Sequence, residues 1–337
     1  MDGQKQVAHH HIQFMARNYT ANPYQFIMPE LNVMRQFSSR ILLILLALLA
    51  SPQLLAQPQQ PGPWVFSTEG GVVSQSDADL EGDSGSFDYS RWFAGAGLDY
   101  LWSPRTALGI SFGGGQSRYG FKDVSGLGDG DPWSDIEDYR VSVISRFAIN
   151  EKVSGIVIPS WRVNRESGAS TGDSQTWGLL AGVSWRLSDT LTLGPGIGVF
   201  DRLEESTAIF PILVIDWDIS ERWNLSTGRG LAASQGPGLT LAYQATNSWS
   251  LGVTGRYEQI DFRLDDTGPA PGGVGRDEVF PLVFSAAWSP SPGKRLSLFA
   301  GAEFGGELEL ADAGGTTIAN SDYDAPFIFG GSFSLRF

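Results

Sequence analysis

From Trp64 to Phe337 the chain repeats one theme, a segment of roughly ten residues in which apolar and polar positions alternate, closed by a turn. In Trp92–Trp102 the even positions Trp92, Ala94, Ala96, Leu98, Tyr100 and Trp102 oppose Gly95, Gly97 and Asp99. In Tyr139–Ile149 the apolar set is Tyr139, Val141, Val143, Phe147 and Ile149, against Arg140, Ser142 and Arg146. Trp177–Leu187 and Trp249–Tyr257 behave likewise, and the last segment sets Phe327, Phe329, Phe333, Leu335 and Phe337 against Ser332, Ser334 and Arg336. Period two places successive side chains on opposite faces of a strand, so the pattern predicts an all-β chain.

The connections fall into two kinds. Short turns are expected at Ser103-Pro104-Arg105, Asn150-Glu151-Lys152, Ser188-Asp189-Thr190, Ser220-Glu221-Arg222, Thr246-Asn247-Ser248 and Ser289–Lys294. Longer polar connections are expected near 75–90, 121–136, 167–174, 202–206, 230–237, 265–277 and 311–325. Six short and seven long connections join fourteen strands, with 12–16 as the range because 208–219 and 222–231 are poorly marked. Trp102, Trp185, Trp217, Trp223, Trp249 and Trp288 lie close to the short turns, where amphipathic rings settle at a bilayer interface. A soluble sandwich also alternates. Strict short–long connections, a tryptophan set at one level and a polar or glycine-rich reverse face favour a closed barrel in lipid, where no strand edge stays unpaired.

Composition changes the picture ahead of the barrel. Ile41–Ala50 is a short apolar run preceded by Arg35 and Arg40 and followed by a small-residue end at Ala56. It is too short to span a bilayer as a helix and reads as a secretory signal peptide. The expected organisation is a spurious N-terminal extension over 1–33 with translation starting at Met34, a signal peptide over 34–56, a Pro/Gln linker over 57–63, and the barrel over 64–337. Removal of residues 1–56, with four Lys/Arg and two Asp/Glu, takes the net charge from −14 to −16. Such acidity argues against nucleic acid as a partner.

The export segment, the alternation and the C-terminal Phe333-Ser334-Leu335-Arg336-Phe337 together resemble bacterial outer-membrane β-barrel proteins, within that group the porin-like and uncharacterised medium-sized barrels. Phe333, Leu335 and Phe337 resemble the terminal assembly signal of such proteins. Ser332 departs from it, standing where glycine is usual, with the glycines at Gly330 and Gly331. The resemblance implies an antiparallel transmembrane barrel with short periplasmic turns and longer external loops, located in the cell outer membrane. It also implies outer-membrane lipid, lipopolysaccharide and the barrel assembly machinery as partners.

Candidate chemistry is sparse. There is no Cys, and the three His residues are His9, His10 and His11, ahead of the leader. The barrel therefore lacks the base that hydrolases and acyltransferases generally use, and no catalytic residue, cofactor or metal site is expected. The carboxylate pairs Asp216/Asp218 and Glu307/Glu309 are read as wall or loop charge. Acidic clusters at Asp77, Asp79, Glu81, Asp83 and Asp88, and at Asp123, Asp129, Asp131, Asp135, Glu137 and Asp138, miss the EF-hand spacing and read as solvated loops. Parity assigns Asp99, Arg140, Arg146, Arg162, Arg186, Asp216, Asp218, Arg256, Glu258, Glu303 and Arg336 to the inner wall, where they either tune a pore or pair across a filled lumen. The expected function is a passive pore for small solutes. The alternative is a non-conducting surface barrel that binds an envelope partner through acidic loops.

Overall fold

The structure is a computed structural model that describes residues 63–82, 84–128, 130–227 and 238–337. The expected extension, signal peptide and linker up to residue 62 lie outside the described residues, as does the expected loop at 230–237.

The described residues form sixteen strand segments: β1 (Trp64–Asp79), β2 (Ser86–Ser103), β3 (Thr106–Lys122), β4 (Asp135–Ala148), β5 (Val153–Glu166), β6 (Gln175–Arg186), β7 (Leu191–Arg202), β8 (Glu205–Asp218), β9 (Trp223–Thr227), β10 (Gly238–Gln244), β11 (Trp249–Arg256), β12 (Glu258–Arg263), β13 (Val274–Ser291), β14 (Lys294–Ala311), β15 (Thr317–Tyr323) and β16 (Phe327–Arg336). Tyr257 merely interrupts β11–β12. β15 and β16 share the partner β14, so the two pairs are broken single strands and the barrel has fourteen staves. Neighbours run antiparallel, and β1 pairs β16 from Ser67↔Arg336 to Gln75↔Ile328, which closes the sheet. Phe66 and Phe337 exchange backbone hydrogen bonds at 3.1 and 2.8 Å, fixing the closure to the end of the chain.

All six expected short turns are present at one end of the barrel. At the other end several expected loops are strand. Asp77, Asp79 and Asp88 lie in β1 and β2, 202–206 is a two-residue turn between Arg202 and Glu205, and β15 (Thr317–Tyr323) lies within 311–325. The reason is strand height. A tilted strand crosses a bilayer in about 9–11 residues, whereas β2, β13 and β14 each have 18, β3 has 17 and β1 has 16. The excess projects beyond the lipid, where its outer face meets water and so carries charge.

The apolar set accordingly changes faces part-way up. On β2, Trp92 and Leu98 point outward and are exposed, while Phe87 and Tyr89 point inward and are buried. On β3, Leu108, Ile110 and Phe112 are outside, and Tyr119 is inside. β14 makes the switch with a bulge at Gly305 (φ 59°), where residues 305 and 306 oppose the single Val279. Below it Phe304 faces out, and above it Leu308 and Leu310 are fully buried.

These upper halves do not continue the fourteen-stave circle. β12 continues β11 past Tyr257 and meets β5 in parallel at Arg263↔Arg165. The upper parts of β12, β13, β14, β15, β1, β2, β3, β4 and β5 thus close a smaller ring, with Leu80↔Tyr323 completing it between β1 and β15. Phe87, Tyr119, Trp133, Phe262 and Tyr323 fill the ring. Trp133 lies 5.0 Å from Phe262 and 5.8 Å from Tyr119 between centroids, edge-on to both. Leu127, Leu264 and Ala270, from two loops, cap the packing. Glu166, 7 % exposed, pins the seam by accepting hydrogen bonds from Ser134 N (2.8 Å), Ser134 Oγ (2.9 Å) and Asp265 N (3.1 Å).

The two apolar populations have opposite solvents, so they respond differently to truncation. Phe262→Ala is expected to cost about 3–5 kcal/mol by opening a cavity in the ring. Phe284→Ala, at a 64 % exposed lipid-facing position, is expected to cost less than about 1 kcal/mol. Thermal unfolding in detergent, followed by gel mobility and tryptophan fluorescence, checks this ranking.

Candidate functional site: an off-axis chain of cavities

Beneath the aromatic filling lies a layer of buried polar groups. Tyr89 donates to Glu303 Oε1 at 2.8 Å, while Tyr119 and Tyr323 donate to the two oxygens of Asp277 at 2.8 and 3.1 Å. Arg91 donates from Nε to Ser117 Oγ at 2.7 Å and stands over the Tyr89 ring. Hydrogen bonds of this kind hold charge within a packed interior. Together with the aromatics, they make the ring a solid cap over the central axis.

Open space lies to one side. The β7–β8 hairpin is left out of the ring, and its lumen-facing side looks across a gap at the outer face of β12. Its tip is docked rather than free. Leu203, 5 % exposed, packs against Val274 and Ala311 on the ring's exterior. Around it Arg202 pairs with Asp261 (3.2 Å) and Glu205 (2.5 Å), Arg263 with Glu204 (2.5 Å), and Arg276 with Asp261 (2.7 Å), Glu309 (2.7 Å) and Glu205. Asp261, Arg276 and Glu309 are cross-strand partners on one face, so the ring presents a preformed ion row to the hairpin.

Four cavities follow one another along this side. An outer one of about 420 Å³, bordered by Ser170, Asp173, Glu204, Arg263 and Asp266, shares Arg202 and Leu203 with a side chamber of about 200 Å³. The chamber shares Arg162 and Phe200 with a central cavity of about 470 Å³ among Glu69, Arg140, Ser142, Ser160 and Arg336. That cavity shares Glu69 and Ser334 with a lower one of about 550 Å³ at the short-turn end, bordered by Asp216, Asp218, Glu221, Arg222 and Asn224. The sequence of shared walls runs around the solid cap.

The inner-wall residues assigned by parity are distributed unevenly along this route. Arg140, Arg162 and Arg336 border the central cavity, and Asp216 and Asp218 border the lower one, each accepting from the Asn224 amide at 3.0 and 2.9 Å. Glu303 is 2 % and Arg256 8 % exposed, so both sit within packed polar surroundings rather than water. Glu258 is half-buried at the foot of β12, and Asp99, Arg146 and Arg186 are not among the residues bordering these cavities. Phe333, Leu335 and Phe337 stand at the closing strand, with Phe337 stacked 6.2 Å from Phe66. The alternation did not reveal Phe200, Phe210, Leu203 or the ion row. The available signal was the spacing Gly194-x-Gly196-x-Gly198-x-Phe200, which puts an aromatic on the same face as three glycines.

A sheet closed on itself, apolar outside over a band of strand and capped by a water-facing ring, defines a transmembrane β-barrel of the bacterial outer-membrane type. No family model matches the chain, and no curated protein matches it. Among solved structures the chain is similar to an outer membrane channel from Pseudomonas putida F1 (11% identity, TM-score 0.44, covering 84% of this chain and 100% of that one). It is also similar to a Pseudomonas aeruginosa FadL homologue (14% identity, TM-score 0.42, covering 81% and 88%) and to the KdgM porin (7% identity, TM-score 0.32, covering 80% and 99%).

The docked hairpin tip gives a direct test. Arg276→Gln strips three carboxylates of their shared partner. Partial exposure reduces the penalty of a broken buried pair to about 1–2 kcal/mol. Cleavage after Arg202 by an arginine-specific protease is expected to accelerate roughly tenfold, at 1.4 kcal/mol per decade. Rates within twofold of the parent would show that the ion row does not hold the tip.

Proposed function

We propose that the protein is a passive outer-membrane channel for small solutes whose route passes beside the capped ring rather than through it. The observation that carries this reading is the succession of four cavities with shared bordering residues, from Asp266 at the outer rim to Glu221 at the short-turn end. Fourteen staves enclose a lumen intermediate between side-chain-filled small barrels and water-filled large ones. The ring fills one side of the barrel, and the side chamber lies on the other, beside the β7–β8 hairpin. Both charge signs border the route, Arg140, Arg162 and Arg336 centrally and Asp216 and Asp218 below, so selectivity is set locally rather than by one uniform field.

The second reading, a surface barrel that binds an envelope partner, draws on the solid ring with its capped loops. A planar-bilayer recording separates the two. Discrete conductance steps are expected from the folded protein. Because the chain has no cysteine, single thiols are clean probes. A water-soluble methanethiosulfonate reagent is expected to lower conductance by at least half in Phe210→Cys and leave Leu308→Cys unchanged. Folded protein without steps would refute the channel, and block at Leu308→Cys alone would place the route on the axis.

A further inference from the structure

The side chamber has a chemical character that neither the lumen above nor the cavities beside it share. Its floor is aromatic. Phe200 and Phe210 lie 5.6 Å apart between centroids and 6° from parallel. Each ring lies over a cross-strand glycine. A Cβ on Gly178 would fall 2.5 Å from the Phe200 ring, and one on Gly198 would fall 2.5 Å from the Phe210 ring. The two glycines therefore hold both rings flat against the wall and leave the chamber open above them.

Its charge is placed over that floor. The Arg162 guanidinium carbon lies 5.1 Å from the Phe200 centroid, in cation–π range, and Arg162 borders both the chamber and the central cavity. Across one strand pair Arg162 is directly opposite Arg140, which concentrates positive charge at this point of the wall. Glu69 and Asp138 offset part of this charge on the lumen side. Asp261, bonded to Arg202 and Arg276, and the exposed Asp201 at the rim also border the chamber. On its other flank Arg162 is directly opposite Thr176, whose hydroxyl is a donor beside the guanidinium.

We propose that this chamber binds small aromatic monocarboxylates, with the ring stacked on Phe200 and Phe210 and the carboxylate held by Arg162 and Thr176. The proposal rests on the channel reading and makes the chamber its selective step. A volume of about 200 Å³ accepts one ring and excludes a second. A neutral arene would desolvate Arg162 without returning a hydrogen bond, and an aromatic cation would be repelled by it. Aliphatic carboxylates satisfy the arginine but forgo stacking.

The test uses full-length protein in detergent, titrated calorimetrically with benzoate, benzyl alcohol, benzylamine and acetate. Benzoate is expected to bind saturably and at least tenfold more tightly than the other three. In Phe200→Leu the preference of benzoate over acetate is expected to fall at least fivefold, and in Arg162→Gln the preference of benzoate over benzyl alcohol is expected to vanish. Thr176→Val, a milder change, is expected to weaken benzoate about threefold and keeps the test open should the arginine variant fail to fold. Unsaturable benzoate, or affinities unchanged in the folded variants, would overturn the site. Conductance steps that benzoate neither blocks nor alters would leave the channel standing without the site. Saturable binding to a protein without conductance would do the reverse.

Discussion

Every stave of this barrel must satisfy two solvents on its outer face, lipid below and water above, while its backbone finds all its partners within the sheet. That constraint fixes closure first, because an unpaired edge in hydrocarbon costs several kcal/mol per exposed group. It then forces the exchange of apolar faces seen on β2 and β3, where outward Trp92 and Phe112 give way to inward Phe87 and Tyr119. Most strands make the exchange by swapping which parity is apolar. β14 instead keeps parity and inserts a residue at Gly305, a glycine position because the backbone there is left-handed.

Once the apolar side chains of nine strand ends point inward, their burial draws those ends into a circle narrower than the barrel below. Each fully buried phenylalanine contributes about 1.5–3 kcal/mol toward that contraction. β5 and β12 become neighbours, and Glu166 and Asn164 supply the bonds across the junction, the latter donating from Nδ2 to the Asp261 carbonyl at 3.2 Å. β6, β7 and β8 are not part of this narrower circle. Their exclusion creates the gap beneath the β7–β8 hairpin, and the Leu203 contact with the surrounding ion pairs keeps that hairpin standing beside the ring. Cap and side chamber are two results of one packing event.

Much of this was legible in the sequence, because period two is a local property. The six short turns, the number of staves, the closing strand ending at Phe337 and the lipid-facing tryptophans all follow from spacings of ten residues or fewer. The inward placement of Arg140, Arg162 and Asp216 also follows from parity alone. The connections near 75–90 and 311–325 are shorter than the acidic stretches suggest, because acidic residues look like solvated chain whether they stand in a loop or on a strand. In a strand that stands above the membrane, Asp77 and Asp88 occupy the outer face for the same reason, exposure to water. The parity switch from Trp92 to Tyr89 carried that information.

What the sequence determined is thus the barrel itself, since alternation and turn chemistry act between neighbouring residues. The contact of β5 with β12, the solidity of the ring and the alignment of Arg162, Phe200 and Phe210 were decided only in three dimensions. They join residues tens of positions apart, and no local spacing encodes which staves are tall enough to meet over the lumen. A charge on an inner wall looks the same in sequence whether it ends in water, like Asp218, or in a packed floor, like Glu303. The difference is set by how much apolar surface the folded ring gathers above it.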